Sequence, residues 1–317
     1  MIMLLVPKKL CQADMWPMFA VIGLAAIVFG GCAQLGANRP PQSEQALFPT
    51  TLELDPTIVN PIDNHPMMTM LRPSNERDWV PEQAVLPRAE FLGNEILVHN
   101  IRNCKYSSAD DVVVEHYDKR FDLKRIKSVD FLICPFPVMP GVAHTMISFG
   151  FEGDEYLGVS VEVRKEKGET YDPIKGFLRQ YEIMYVVADE RDLVQLRTNH
   201  WQNEVFLYPT RATPEAARKM FVDVMRRVNK LYVAPEFYDT LTNNCTTNIV
   251  QHVNHLSPNR IPLDYRVLMA GHSDELAYDL GLLDTEDSFE QTKARAGVNY
   301  QAYLFRNDAD FSAKIRR

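Results

Sequence analysis

The sequence predicts an α+β domain, a small antiparallel sheet packed with helices. Two strand-like runs, Ala143–Phe151 and 156–163, flank the turn Glu152-Gly153-Asp154, which is the pattern of an antiparallel hairpin. Short apolar runs at 95–100, 112–116, 129–134, 183–187 and 205–208 supply further strands. From Thr213 onward the apolar spacing becomes helical, first in Met220, Phe221, Val224, Val228 and Leu231, then in Ile249, Val250, Val253 and Leu256.

Each element has a local reason. Gly153 permits the tight turn of the hairpin, and alternation then puts Thr145, Ile147, Phe149 and Phe151 on one face with Leu157, Val159, Val161 and Val163. That odd-numbered face is the expected core face, leaving His144, Met146, Ser148 and Gly150 on a polar, half-exposed one. A three-residue turn centred on Gly153 pairs residues whose numbers sum to 306, which opposes His144 to Glu162. A two-residue turn on Gly153-Asp154 would oppose His144 to Val163 instead. Thr213-Pro214 supplies an N-cap and a first-turn proline for the first long helix. Asn243 or Asn244 caps the second, which opens at Cys245. Residues 258–317 hold short helical pieces with little periodicity and a charged end, Lys314, Arg316 and Arg317, expected in solvent.

The 317 residues, 46% hydrophobic, can bury one substantial core. The 34 Lys and Arg against 42 Asp and Glu give a net charge of −8 with no long basic run, which argues against nucleic acid as a partner. Lys8 and Lys9 precede an uncharged apolar run, 16–31, of a length between a signal sequence and a membrane helix. The run ends in Phe29-Gly30-Gly31-Cys32, which looks like a lipobox whose cysteine becomes lipid-modified, although Phe29 departs from the usual aliphatic residue. Residues 1–32 are therefore expected to be a signal peptide with lipobox or a membrane anchor, 33–71 a flexible linker, and 72–317 the folded, membrane-anchored domain facing the periplasm. Of the cysteines after Cys32, Cys104 and Cys134 either pair or, in the case of Cys134, fill a buried strand, leaving Cys245 as a free thiol.

Cys245 is the candidate nucleophile. A helix first turn, with its free N–H groups and positive dipole end, favours the thiolate that attacks carbonyl carbon. The competing structural account is a small apolar residue packed at a helix start. His144 is the candidate base, Glu162 the acidic group that orients it, and Ser160 a hydroxyl able to assist Glu162. Asn244 and the Cys245 N–H are the expected supports of an oxyanion. Histidine precedes cysteine by 101 positions, so a papain-type site here would be circularly permuted. His252 and His255 could share a metal, but no third ligand with recognisable spacing appears, so no metal and no cofactor are expected. Asp189-Glu190-Arg191-Asp192 is expected to be a solvated turn or helix start.

The pairing of Ala143-His144-Thr145 on a strand with Asn244-Cys245 at a helix start resembles the permuted, NlpC-related branch of papain-like proteins, which includes the lecithin–retinol acyltransferases. More narrowly, Arg-Pro-Ser-Asn-Glu-Arg-Asp-Trp at 72–79, the strand 143–151, the runs 162–169 and 187–193, and Thr-Asn-Asn-Cys-Thr-Thr-Asn at 242–248 are similar to the Lnb N-terminal periplasmic domain family. That family takes its name from a lipoprotein N-acyltransferase, which moves an acyl chain from a phospholipid to the N-terminal amine of a lipoprotein. The resemblance implies an envelope protein with Cys245 as nucleophile and His144 as base. Its possible partners would be the bacterial membrane, phospholipid and lipoprotein substrates. The chain departs from the acyltransferase in lacking an apolar span after Cys245. The functions expected are a cysteine acyltransferase or lipid-directed hydrolase, a cysteine peptidase or amidase acting on peptidoglycan or peptides, or a non-catalytic envelope scaffold.

Overall fold

The computed structural model describes residues 72–317 apart from 109 and 110; the expected signal or anchor at 1–32, Cys32 and the whole of the linker lie outside the described residues. In chain order the strands are β1 Arg88–Leu92, β2 Glu95–Arg102, β3 Lys105–Tyr106, β4 Val112–Val113, β5 His116–Asp122, β6 Ile126–Pro135, β7 Ala143–Phe151, β8 Glu155–Arg164, β9 Glu182–Asp189 and β10 Phe206–Pro209. The helices are α1 Pro173–Phe177, α2 Glu190–Gln195, α3 Pro214–Val233, α4 Cys245–Leu256, α5 Tyr265–Leu268, α6 Ser273–Asp279, α7 Phe289–Ala296, α8 Asn299–Leu304 and α9 Phe311–Lys314. Among the described residues, β1-β2-β9-β8-β7-β6-β10 run side by side, with β5 also on β2, as one eight-stranded sheet. The sheet is larger than expected and antiparallel except where β2 meets β9. The fold is α+β, as predicted.

The β7–β8 hairpin sits at the centre in the three-residue register. Phe151 opposes Glu155 and Met146 opposes Ser160, with Gly153 and Asp154 at positive φ in the turn. The odd-numbered face packs on α3 and α4. Phe221 of α3 meets Phe149 edge-on at 5.1 Å between ring centroids, and Val224, Val228 and Ile249 complete the layer. Helix α3 begins as predicted, with Thr213 Oγ1 accepting from Ala216 N and Pro214 in the first turn.

The opposite face corrects the sequence expectation. It is not half-exposed but covered by α2, α8 and α9, so Met146, Met184, Val186 and Ala188 pack against Leu193, Ala302, Phe311 and Ile315. The cover fits because Gly158 is bare: a Cβ there would lie 2.6 Å from Leu193 Cδ1. The same cover overturns two charge expectations. Glu190 and Asp192 are each 1% exposed rather than solvated, and Arg316 is mostly buried rather than a free end. Asp192 accepts from Arg102 through both oxygens, at 3.0 and 2.8 Å, and from Cys104 N at 2.7 Å. Arg316 reaches Asp130 at 2.8 Å and both oxygens of Glu190, at 2.8 and 2.5 Å. A charge run predicts solvent only when no opposite charge folds back on it, and here two distant arginines do. Cys104 and Cys134 are both buried and free, so the expected alternative of a disulfide is excluded.

Removing one partner of a buried ion pair strands the other. Asp192→Ala should therefore destabilise the full chain by about 3–5 kcal/mol, seen as a lower urea midpoint. A change below about 1 kcal/mol would mean that the Arg102 pair behaves as an exposed one.

Candidate functional site

Cys245 is the first residue of α4, and the sequence around it builds a complete cap. Asn244 Oδ1 accepts from Thr247 N at 2.9 Å, while Thr247 Oγ1 accepts from Asn244 N at 2.8 Å. Asn244 Nδ2 donates to Thr240 O at 2.6 Å. Both polar ends of the Asn244 side chain are thus engaged in holding the turn. The cap takes the Thr247 N–H, and helix geometry leaves the Cys245 and Thr246 N–H groups without an intrahelical acceptor.

His144, at the start of β7, lines the same cleft as Cys245, and its side chain and charge act on the thiol. Its Nε2 lies 2.7 Å from Ser160 Oγ, and Ser160 donates to Glu162 Oε1 at 2.7 Å. The serine hydroxyl has one hydrogen, and a carboxylate can only accept. Ser160 must therefore accept from His144 Nε2–H, which leaves Nδ1 as the basic nitrogen for the thiol. Glu162 stands one step further from the histidine than the bare register suggested, with the serine between them.

Glu162 is anchored from behind. Arg197 Nη2 donates to Oε1 at 2.9 Å, and Gln83 Nε2 lies 3.4 Å from Oε2. Burial would push the Glu162 carboxyl up, but Arg197, Arg102, His144 and the Ser160 hydroxyl outweigh it and hold the group well below the carboxylate range. Arg197 comes from a π-helical turn, Leu196–His200, that continues α2. Neither Arg197 nor Arg102 is marked in the sequence, because nothing local distinguishes a buried arginine from a surface one.

The thiol itself is acidic. Burial would raise it, but the neighbouring His144 side chain and its charge, followed by Thr145, bring Cys245 from an ordinary 9.0 down to about 6. Among the groups that lower it, His144 is the largest influence. Cys104 is the contrast: burial, with Asp192 beside it, pushes its thiol up to about 11.

The site opens into a cleft of about 260 Å³ lined by His144, Cys245, Tyr171, Tyr238, Trp201 and Leu268 among others. Burial pushes the Tyr171 and Tyr238 hydroxyls up, and the charge of Cys245 adds to it. Both tyrosines went unrecognised in the sequence, where they fall in loops without a pattern. A second cavity, about 320 Å³, lies between the sheet, α3, α4 and α6. Its walls include Ile147, Met220, Ile249, Val253, Leu276 and Leu283, and it shares Thr246 and Val267 with the cleft. Thr246 Oγ1 lies 3.8 Å from Cys245 Sγ and 3.1 Å from Thr145 Oγ1.

With this geometry in place, comparison with known proteins adds one match. Residues 114–271 fit the family model described as the Lnb N-terminal periplasmic domain, a span that includes His144, Ser160, Glu162, Arg197 and Cys245. The chain carries an Lnb N-terminal periplasmic domain. No curated protein and no solved structure matches it. The periplasmic domain makes this an envelope protein, and no helix among the described residues is long and apolar enough to cross a membrane.

A thiol lowered to about 6 should alkylate at a pH-independent rate above that value and about tenfold more slowly for each pH unit below it. Iodoacetamide labelling with peptide mapping isolates Cys245 from the other cysteines. In His144→Ala the inflection should move up toward the ordinary thiol range, and in Ser160→Ala by less. An unshifted inflection in His144→Ala would refute the thiol–imidazole pairing.

Proposed function

We propose that the domain is a cysteine acyltransferase or lipid-directed hydrolase, with the papain-type order of groups in permuted sequence. The observation that carries this choice is the apolar cavity that shares Thr246 and Val267 with the Cys245 cleft. A peptidase or amidase needs the cleft alone, whereas a fatty acyl chain needs a dry channel beginning beside the thiol.

In the proposed reaction His144 Nδ1 takes the Cys245 proton and Sγ attacks the ester carbonyl of a phospholipid. The Cys245 N–H supports the oxyanion that forms. As the tetrahedral species collapses, the carbon–oxygen bond breaks and the lysophospholipid alcohol leaves with the proton from His144. The acyl chain stays as a thioester, lying in the apolar cavity. An amine or water, deprotonated by His144, then attacks the thioester carbonyl, and the departing thiolate completes the cycle. Ser160 and Glu162, held by Arg197, keep the imidazole in the tautomer these steps use. Asn244 serves as support by fixing the helix start. The N-terminal apolar run and a lipid on Cys32 would hold the site at the membrane surface beside its donor. Phospholipid is the proposed donor, and the N-terminal amine of a lipoprotein is one acceptor that fits.

The test is intact mass of the purified full chain after incubation with phospholipid vesicles, together with Cys245→Ser and His144→Ala. A hydroxylamine-labile gain of one fatty acyl chain, absent in both variants, is expected, and Ile249→Trp, which fills the cavity, should reduce it at least about tenfold. Rapid alkylation of Cys245 with no acyl adduct would transfer the assignment to a peptidase or amidase. A thiol that also resists alkylation while folded would leave a non-catalytic scaffold.

A further inference from the structure

The far half of α4 carries a second cluster that the cysteine chemistry does not use. His252 and His255 project from α4 toward Asp223 of α3, which supplies the third group that spacing in the sequence could not reveal. His252 Nδ1 lies 2.6 Å and His255 Nδ1 3.1 Å from the same oxygen, Asp223 Oδ2. One ligand atom from each residue falls within 4.8 Å of the others.

The hydrogen bonds behind the cluster fix what His252 offers. Asn248 Nδ2 donates to Asn243 Oδ1 and to Asn244 O, both at 2.9 Å, so its Oδ1 faces Tyr185 and accepts the phenolic hydrogen at 3.1 Å. Tyr185 has no other hydrogen to give. Its oxygen, 2.8 Å from His252 Nε2, must therefore accept from that nitrogen. With its hydrogen on Nε2, the neutral ring aims the Nδ1 lone pair at a carboxylate oxygen, which is also an acceptor. Two electron-pair donors at 2.6 Å need a positive centre between or beside them, which is a proton on Nδ1 in the metal-free pair and a metal ion when one takes the proton's place.

The geometry points to a divalent transition-metal site formed by Asp223 Oδ2, His252 Nδ1 and His255 Nδ1, of the kind zinc occupies. Two imidazoles and a carboxylate are a donor set for zinc and neighbouring ions rather than for calcium or magnesium. Ligand atoms about 2.0–2.2 Å from a tetrahedral zinc lie roughly 3.4 Å apart, so the Asp223–His252 contact has to open by less than about 1 Å. The fourth position faces solvent on the side of His255, whose side chain is 63% exposed. Tyr185 holds His252 from behind in the orientation ligation requires. His252 is seven positions beyond Cys245, about 10 Å along the helix, so the ion would act as a brace of α4 on α3 and not on the reacting thiol.

The test uses the purified full chain carrying Cys245→Ser, stripped with EDTA and dialysed against micromolar zinc. Elemental analysis should find one zinc per chain, and zinc should raise the melting temperature. His255→Ala, at an exposed position that leaves the fold intact by circular dichroism, should abolish both effects. Tyr185→Phe should weaken binding by about 10–100-fold. An absence of stoichiometric zinc, or zinc retained in His255→Ala, would overturn the site, the latter by showing adventitious binding. Because the Cys245→Ser background has no nucleophile, neither result bears on the acyl chemistry.

Discussion

Everything in the cleft depends on the register of the β7–β8 hairpin. With three residues in the turn, His144, Ser160 and Glu162 come to the same face and the same end of the sheet. One residue fewer would have placed Val163 opposite His144 and sent Glu162 to the other face. The turn chemistry of Gly153 and Asp154, both at positive φ, therefore determines the tautomer of a histidine about 30 Å away along the strand.

The second face of the sheet shows the cost of building such a chain of polar groups. Glu162 can stay ionised in partial burial only because Arg197 and Arg102 stand beside it, and Arg102 in turn needs Asp192. The helical cover that hides these charges is supplied by α2, by the π-helical turn that follows it, and by the C-terminal helices. Its closure relies on Gly158 admitting Leu193 and on Arg316 neutralising Glu190 and Asp130. Residues that read as loose charge in sequence are the supports of the site in space.

That contrast marks what was legible in the sequence. The hairpin, its register, both long helices and the cap at Asn244 are local, set by alternation, helical spacing and turn residues, and they stand where the pattern put them. The burial of the even-numbered face, Arg197, the two tyrosines and Asp223 come from contacts between segments far apart in the chain. Asp223 is instructive. It sits between Phe221 and Val224 on α3, where period alone makes it the polar neighbour of a core stripe, and only the packing of α3 on α4 turns it toward His252. Likewise, a helix end was the visible reason for an acidic thiol, whereas a second, His144, required the sheet to place it.

Helix α4 then has to satisfy several constraints at once. Its first turn presents the thiol to the cleft, its apolar side walls the neighbouring cavity through Ile249, Val250 and Val253, and its last turns meet α3 through His252 and His255. A helix that separates two cavities loses packing partners on both sides, and each missing contact forfeits dispersion energy that a filled core would supply. The polar fastenings lie at its two ends, the reciprocal Asn244–Thr247 cap and the Tyr185–His252–Asp223 array, where hydrogen bonds can hold the helix without filling the space beside it. Fastening the ends and leaving the middle bordered by open volume is the arrangement that keeps Cys245 in the cleft with His144 while an apolar chamber persists next to it.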